Sequence, residues 1–232
     1  MKKIGFIAMS GVRAHNEELT KLGLTLPGFV ERNKIITSMP SLGLLTLAGL
    51  TPDCFEIEYC EIADLKQLDS LPEHFDVVAI STFTAQLKEA YLVADFYESR
   101  KIPVVMGGIP VSSLADEALE HCTSVVIGEG EPLWPEVLRD FENGNLKPFY
   151  RQIPPGSFDL RAAPMPRFDL LDPEKYNRIT VQTSRGCPHK CEFCASSILL
   201  TPHYKVKPVE KVIAEIREIK KNLAASVHRV CR

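Results

Sequence analysis

The first 142 residues predict an α/β domain built on a parallel, doubly wound sheet. Three observations predict it. Runs such as Val77-Val78-Ala79-Ile80 are apolar without alternation, as strands covered on both faces are. Between such runs lie longer segments with apolar residues at helical spacing. The runs end in Gly, Ser or Thr clusters that punctuate the chain.

In chain order, Lys3 to Met9 reads as a short buried strand and Ser10-Gly11 as the turn after it. Residues 12–40 are polar and mixed, with Pro27, Gly28 and Pro40, and read as a loop. In a compact domain that length marks either a functional loop or a misread element. Ser41 to Leu50 reads as a helix capped by Ser41, and Phe55 to Ile62 alternates like a strand. Asp76 to Ser81, Ile102 to Met106 and Ser124 to Ile127 bring the strands to five. Thr84 to Arg100 carries Leu87, Ala90, Tyr91, Ala94 and Tyr97 on one helical face, and Ser112 to His121 reads as a second helix. Pro132 suits the first turn of a helix reaching Glu142. Five strands in this length fit a flavodoxin-like unit, in which ligands sit at the carboxyl ends of the strands. The residues at those ends are Ser10-Gly11, Ser81-Thr82, Gly107-Gly108 and Gly128-Glu129-Gly130-Glu131.

Residues 143–177 hold six prolines and read as a largely extended linker. Arg178 to Thr183 reads as a new strand, followed by a cysteine loop and a helix from Val209 to Leu223; residues 224–232 read as an irregular tail. The chain has no fixed-period repeat and no low-complexity tract.

Composition is that of an ordinary globular protein, 45% hydrophobic and 25% charged. A net charge of −3 supplies no basic field for nucleic acid. Leu42 to Leu50, the longest nearly unbroken apolar stretch, is far short of a membrane span. The apolar run Ile4 to Met9 is too short for a signal peptide and is soon followed by Arg13, His15, Glu17 and Glu18, so the chain reads as cytoplasmic. Seven cysteines, an odd number, argue against a disulfide framework.

Three of them crowd together: Thr183-Ser184-Arg185-Gly186-Cys187-Pro188-His189-Lys190-Cys191-Glu192-Phe193-Cys194. Three thiolates in one tight loop can each hold one iron of a four-iron, four-sulfur cluster, which normally takes four. No fourth cysteine lies nearby, so one iron would stay open to a substrate or cofactor. Buried core cysteines rarely cluster this way. A zinc site completed by His189, His203 or Cys231 is the other alternative, although structural zinc motifs are usually paired knuckles.

The cysteine spacing resembles that of the radical S-adenosylmethionine (radical SAM) superfamily. The strand before it and the helix after it match the first β–α repeat of that family's partial TIM-type barrel. The resemblance implies that Cys187, Cys191 and Cys194 ligate a 4Fe-4S cluster. It implies that S-adenosyl-L-methionine binds the open iron and is cleaved to a 5′-deoxyadenosyl radical, with a flavodoxin or ferredoxin as electron donor. Phe193 matches the family position packed near the adenine; plain loop packing explains it equally.

The doubly wound unit ahead of such a loop resembles the cobalamin-binding subclass. The matching stretches are Pro40 to Ala48, Ile80 to Thr84, Val104 to Gly108 and Val126 to Glu131. The resemblance assigns cobalamin contacts to Ser10, Gly11, Ser41, Gly43, Ser81, Thr82, Thr84, Gly107, Gly108, Gly128, Glu129, Gly130 and Glu131. Glycines at strand ends let backbone approach a large flat ligand, and the hydroxyls can donate to a nucleotide tail or phosphate near a helix start. Singly, each has an ordinary explanation: turn or N-cap duty for Ser81 and Thr82, a tight turn for Gly107-Gly108, and negative charge at a helix start for Glu129 and Glu131. The Asp-x-His-x-x-Gly motif of many cobalamin domains is absent, which leaves the lower axial ligand of cobalt unassigned. The six histidines read as surface or capping residues.

Only 38 residues follow Cys194, too few for the remaining barrel repeats. The chain is therefore expected to be a C-terminally truncated and inactive piece of an enzyme. The function expected of the whole is that of a cobalamin-dependent radical SAM enzyme, a class most often of methyltransferases. The alternatives are a non-catalytic cobalamin carrier or sensor, and a radical SAM enzyme of another reaction type without cobalamin.

Overall fold

The computed structural model describes residues 1–9, 39–62, 71–172, 176, 179–189, 191–194 and 203–230. Most of the expected loop 12–40 lies outside them. Six parallel strands form the main sheet: β1 (Lys2–Met9), β2 (Phe55–Ile62), β3 (Val77–Ser81), β4 (Val104–Gly107), β5 (Ser124–Ile127) and β6 (Phe149–Arg151), in the order β2-β1-β3-β4-β5-β6. The α/β class and the doubly wound order are those expected. The sixth strand is not: it comes from the proline-rich stretch read as linker.

The pleat explains why the strands are apolar throughout. Ile7, Met9, Val78, Ile80, Val104, Met106 and Val125 face one core with α2 (Leu87–Ser99), α3 (Ile109–Ser113) and α4 (Ala115–Leu119). The intervening Phe6, Ala8, Val77, Ala79, Val105 and Val126 face a second core with α1 (Leu42–Leu50) and α5 (Trp134–Glu142). On α5 the buried residues Trp134, Val137, Leu138 and Phe141 make one stripe. Its end is a Schellman turn: Gly144 takes φ +66°, its N–H donates to Phe141 C=O, and Asn145 N–H donates to Asp140 C=O at 2.8 Å.

Helix α1 is apolar all round because it is covered twice. Leu44 and Ala48 face the sheet. Leu45 packs beneath Phe168 and Leu171 of the linker, in a cluster that takes in Ile179, Val181 and Ile219. Arg167 N–H donates to Leu45 C=O at 3.0 Å, and Met165 C=O lies where a side chain on Gly49 would begin.

Several element bounds differ from expectation. Ser112 to His121 is not one helix: α3 and α4 meet at Leu114, whose φ/ψ of −123°/47° interrupts the helical path. In the stretch read as a strand over 178–183, the described residues carry no ladder. Pairing begins at β7 (Ser184–Arg185), antiparallel to β8 (Lys205–Val206). Helix α6 (Val209–Val230) runs through most of the stretch read as an irregular tail.

Candidate functional site

The register of the sheet builds the site. Ala8 is opposite Ser81, Ser81 opposite Gly107, and Gly107 opposite Val126, so the carboxyl ends of four strands finish level. A cavity of about 200 Å³ opens there, between these ends and helix α1. Its apolar walls are Leu44, Leu47, Ala79, Val105, Val126 and Trp134. Trp134 is held in place: its indole N–H donates to Thr51 Oγ1 at 2.9 Å, that hydroxyl donates to Leu47 C=O, and Phe6 packs with ring centroids 5.5 Å apart. Gly108 and Gly128 adopt φ +112° and +101°, a region any residue with a Cβ enters only under strain. Gly128 N–H donates to Ser112 Oγ at 3.1 Å. At Gly43 an added Cβ would meet no atom within 4 Å, so the glycine leaves room in the cavity wall.

Of the residues singled out as cobalamin contacts, Gly43, Ser81, Gly107, Gly108, Gly128, Glu129, Gly130 and Glu131 line this cavity. Thr82 does not; it is buried, with its hydroxyl donating to Phe83 C=O. Thr84 is exposed at the start of a 3-10 turn. Ser41 is the N-cap residue of α1, as expected, although its side chain makes no capping bond; its N–H donates to the Tyr59 hydroxyl at 2.8 Å, and it does not line the cavity. Ser10 and Gly11 lie outside the described residues.

Glu129 and Glu131 line the cavity with their carboxylates already engaged. Glu129 Oε1 accepts from Lys205 Nζ at 2.5 Å and Arg185 Nη1 at 2.8 Å. Its Oε2 accepts from Gln152 Nε2 at 3.0 Å and Phe158 N–H at 2.9 Å. Burial pushes this carboxyl up, but the bonds from Lys205, Gln152, Arg185 and Phe158 outweigh it and leave Glu129 below the usual carboxylate range. Glu131 takes the Arg185 guanidinium in a fork, Nη2 to Oε1 at 2.5 Å and Nη1 to Oε2 at 3.2 Å. Arg185 Nη2 also donates to Gln182 Oε1, and Lys205 Nζ also donates to the carbonyls of Gly156 and Phe158. Arg185, Lys205 and Gln152 received no role from the sequence. Their signal is charge complementarity between segments 54 and 76 residues apart, which local spacing does not display.

The cysteine loop leaves from this network. Gly186 turns at φ +84°, Cys187 is half-buried, and Cys191 is exposed. Cys194 N–H donates to Cys191 C=O at 3.0 Å, closing a tight turn on which Phe193 is 90% exposed. Among the described residues no three His, Cys, Asp or Glu side chains are gathered closely enough to hold a metal ion. The three thiols of the loop are thus not gathered into one group. No helix among the described residues is long and apolar enough to cross a membrane.

Comparison with known proteins agrees with the sheet-edge site. Residues 32–138 match the family described as B12 binding domain. The chain is 32% identical over 186 residues to the bacteriochlorophyllide d C-12(1)-methyltransferase of Chlorobaculum tepidum, covering 78% of this chain and 40% of that protein. It is 29% identical over 238 residues to an uncharacterised methyltransferase of Pyrococcus horikoshii, covering 86% of this chain and 50% of the other. The chain thus spans half or less of the length of these relatives. The radical S-adenosylmethionine methyltransferase TsrM of Kitasatospora setae, solved with cobalamin and a [4Fe-4S] cluster bound, superposes with a TM-score of 0.59. That alignment covers 94% of this chain and 46% of TsrM at 16% identity, a likeness of fold. The matched stretch contains every residue that lines the cavity except Arg185: this chain carries a B12-binding domain.

Proposed function

We propose that this chain is the cofactor-holding part of a cobalamin-dependent radical SAM methyltransferase. The cavity would take part of a cobalamin, and Cys187, Cys191 and Cys194 would hold a 4Fe-4S cluster whose open iron receives S-adenosyl-L-methionine. The carrying observation is the cavity, whose glycines sit at level strand ends beside an apolar slot. A drug-sized ligand needs about 300 Å³ or more. At about 200 Å³ this slot fits a flat ring and its linker rather than a whole corrin. The group seated here would be the nucleotide tail, held by the lining residues Gly43, Gly107-Gly108 and Gly128 to Gly130.

When bound, the cluster supplies the electron that cleaves the sulfonium of S-adenosylmethionine, and cobalamin carries the methyl group. The chain itself binds and orients. Leu44, Leu47, Val126 and Trp134 exclude water from the tail. Ser81, whose side chain carries a hydroxyl, lines the cavity. Gly43 keeps the wall open. Cys187, Cys191 and Cys194 present three thiols from one short loop. A small electron-transfer protein is the proposed reductant.

The test is an anaerobic absorbance titration of the chain with hydroxocobalamin. A saturable spectral change is expected, weakened about tenfold or more by Gly43→Leu, which puts a branched side chain on a residue that lines the cavity. No spectral change at several hundred micromolar ligand would refute the cobalamin reading.

A further inference from the structure

The cysteine loop stands on a weak base. Strands β7 and β8 hold it, and their ladder is two residues long. A ladder that short is not stable by itself. Moreover, Arg185 and Lys205 are register partners, so the pair sets two cations directly opposite each other. Like charges opposite on neighbouring strands repel. The base closes nonetheless because Glu129 Oε1 accepts from both cations and Glu131 takes the rest of the guanidinium fork. The same Glu129 carboxylate anchors the linker at Gln152 and Phe158. All of this hangs from residues 128–131, which line the cavity together with Arg185, while Lys205 does not.

We infer that Glu129 and Glu131 are positioning residues that close the base of the cysteine loop through Arg185 and Lys205, so that filling the sheet-edge cavity tightens the loop. This rests on the reading that the cavity takes cobalamin. A ligand seated against Gly128 to Glu131 restrains that segment, and the ion pairs pass the restraint to Ser184–Arg185 and Lys205–Val206. Loop and cavity then report on each other by linkage.

Hydrogen–deuterium exchange on the whole 232-residue chain, with and without hydroxocobalamin, tests this. At a ligand concentration about ten times its Kd, exchange should slow about tenfold at residues 107–108 and 128–131 and also at 184–187 and 205–207. Lys207 N–H, which donates to Thr183 C=O at 2.9 Å, is a direct reporter of the closed base. In Lys205→Met, which alters a cation of the base that does not line the cavity, the sheet-edge protection reports folding and binding, and the ligand-dependent protection of 184–187 and 205–207 should be lost; Lys205→Arg should restore part of it. Lys205→Gln gives the same reading should Lys205→Met fail to fold. Protection at the sheet edge alone in the unmodified chain would overturn the coupling and leave the cobalamin reading standing. Protection of the base that persists in Lys205→Met would overturn the role of the ion pairs. Protection nowhere would overturn the cobalamin reading and the coupling with it.

Discussion

The sheet-edge cavity and the cysteine loop are built on opposite principles. The cavity is walled by backbone locked in a six-stranded ladder and by side chains of the core, with Trp134 fixed by both a hydrogen bond and a ring contact. The loop has the chemistry without the enclosure: Cys191 and Phe193 are exposed, and the three thiols are not gathered. A large organic ligand gains most from a site that is already formed, whereas thiolates are organised by the metal they bind. Folding alone shapes the cavity and leaves the three thiols apart.

The largest expected effect would separate the two sites completely. Replacing Cys187, Cys191 and Cys194 together by alanine should drop reconstituted iron from about four per chain to background, while hydroxocobalamin affinity stays within about twofold. Iron analysis and the absorbance titration check this; a parallel loss of cobalamin binding would show that the sites are not separately built. Next in size is Trp134→Ala. Removing a buried tryptophan costs about 3–5 kcal/mol, read as a lower midpoint in urea unfolding, and it should enlarge the cavity floor and weaken hydroxocobalamin binding.

A pH series sharpens the link between the sites. Glu129 is held below the usual carboxylate range, so its contribution to stability is complete above the unfolded value of 4.5 and is lost as pH falls through its folded value. Glu58, lowered to about 2 against burial by its bonds to Lys3 and His74, acts in the same direction. Thermal unfolding should therefore move to lower temperature as pH drops below about 4.5, and Glu129→Gln should flatten that decline. An unchanged acid slope in Glu129→Gln would show that the carboxylate is not preferentially ionised in the folded chain. The smallest effect is that of Gly43→Ala. Alanine in a helix is about 0.8–1.0 kcal/mol better than glycine, and the added methyl meets no neighbour. The variant should be slightly more stable and bind hydroxocobalamin more weakly, the opposite signs marking Gly43 as a residue kept for space.

Much of this was legible in the sequence because burial on both faces writes long apolar runs, as in Val77 to Ile80 and Val104 to Met106. Strand-end glycines likewise marked the cavity, since Gly108 and Gly128 need a backbone that other residues avoid. What stayed hidden was non-local or short. Strand β6 is three residues long, too brief to show a period among prolines. The break at Leu114 between α3 and α4 leaves no Gly or Pro as a sign. Glu129 and Glu131 read as charge at a helix start, because the partners that use them, Arg185 and Lys205, lie on other elements far along the chain. The three-residue and four-residue cysteine spacings announce a donor set, but spacing alone carries no information on when the sulfurs converge.

The most direct measurement is a structure of the chain crystallised with hydroxocobalamin. The account places the nucleotide tail between helix α1 and the strand ends, against Gly43, Gly107-Gly108 and Gly128 to Gly130, with the Arg185–Glu131 fork intact beside it. Ligand bound elsewhere with this slot still empty would contradict it.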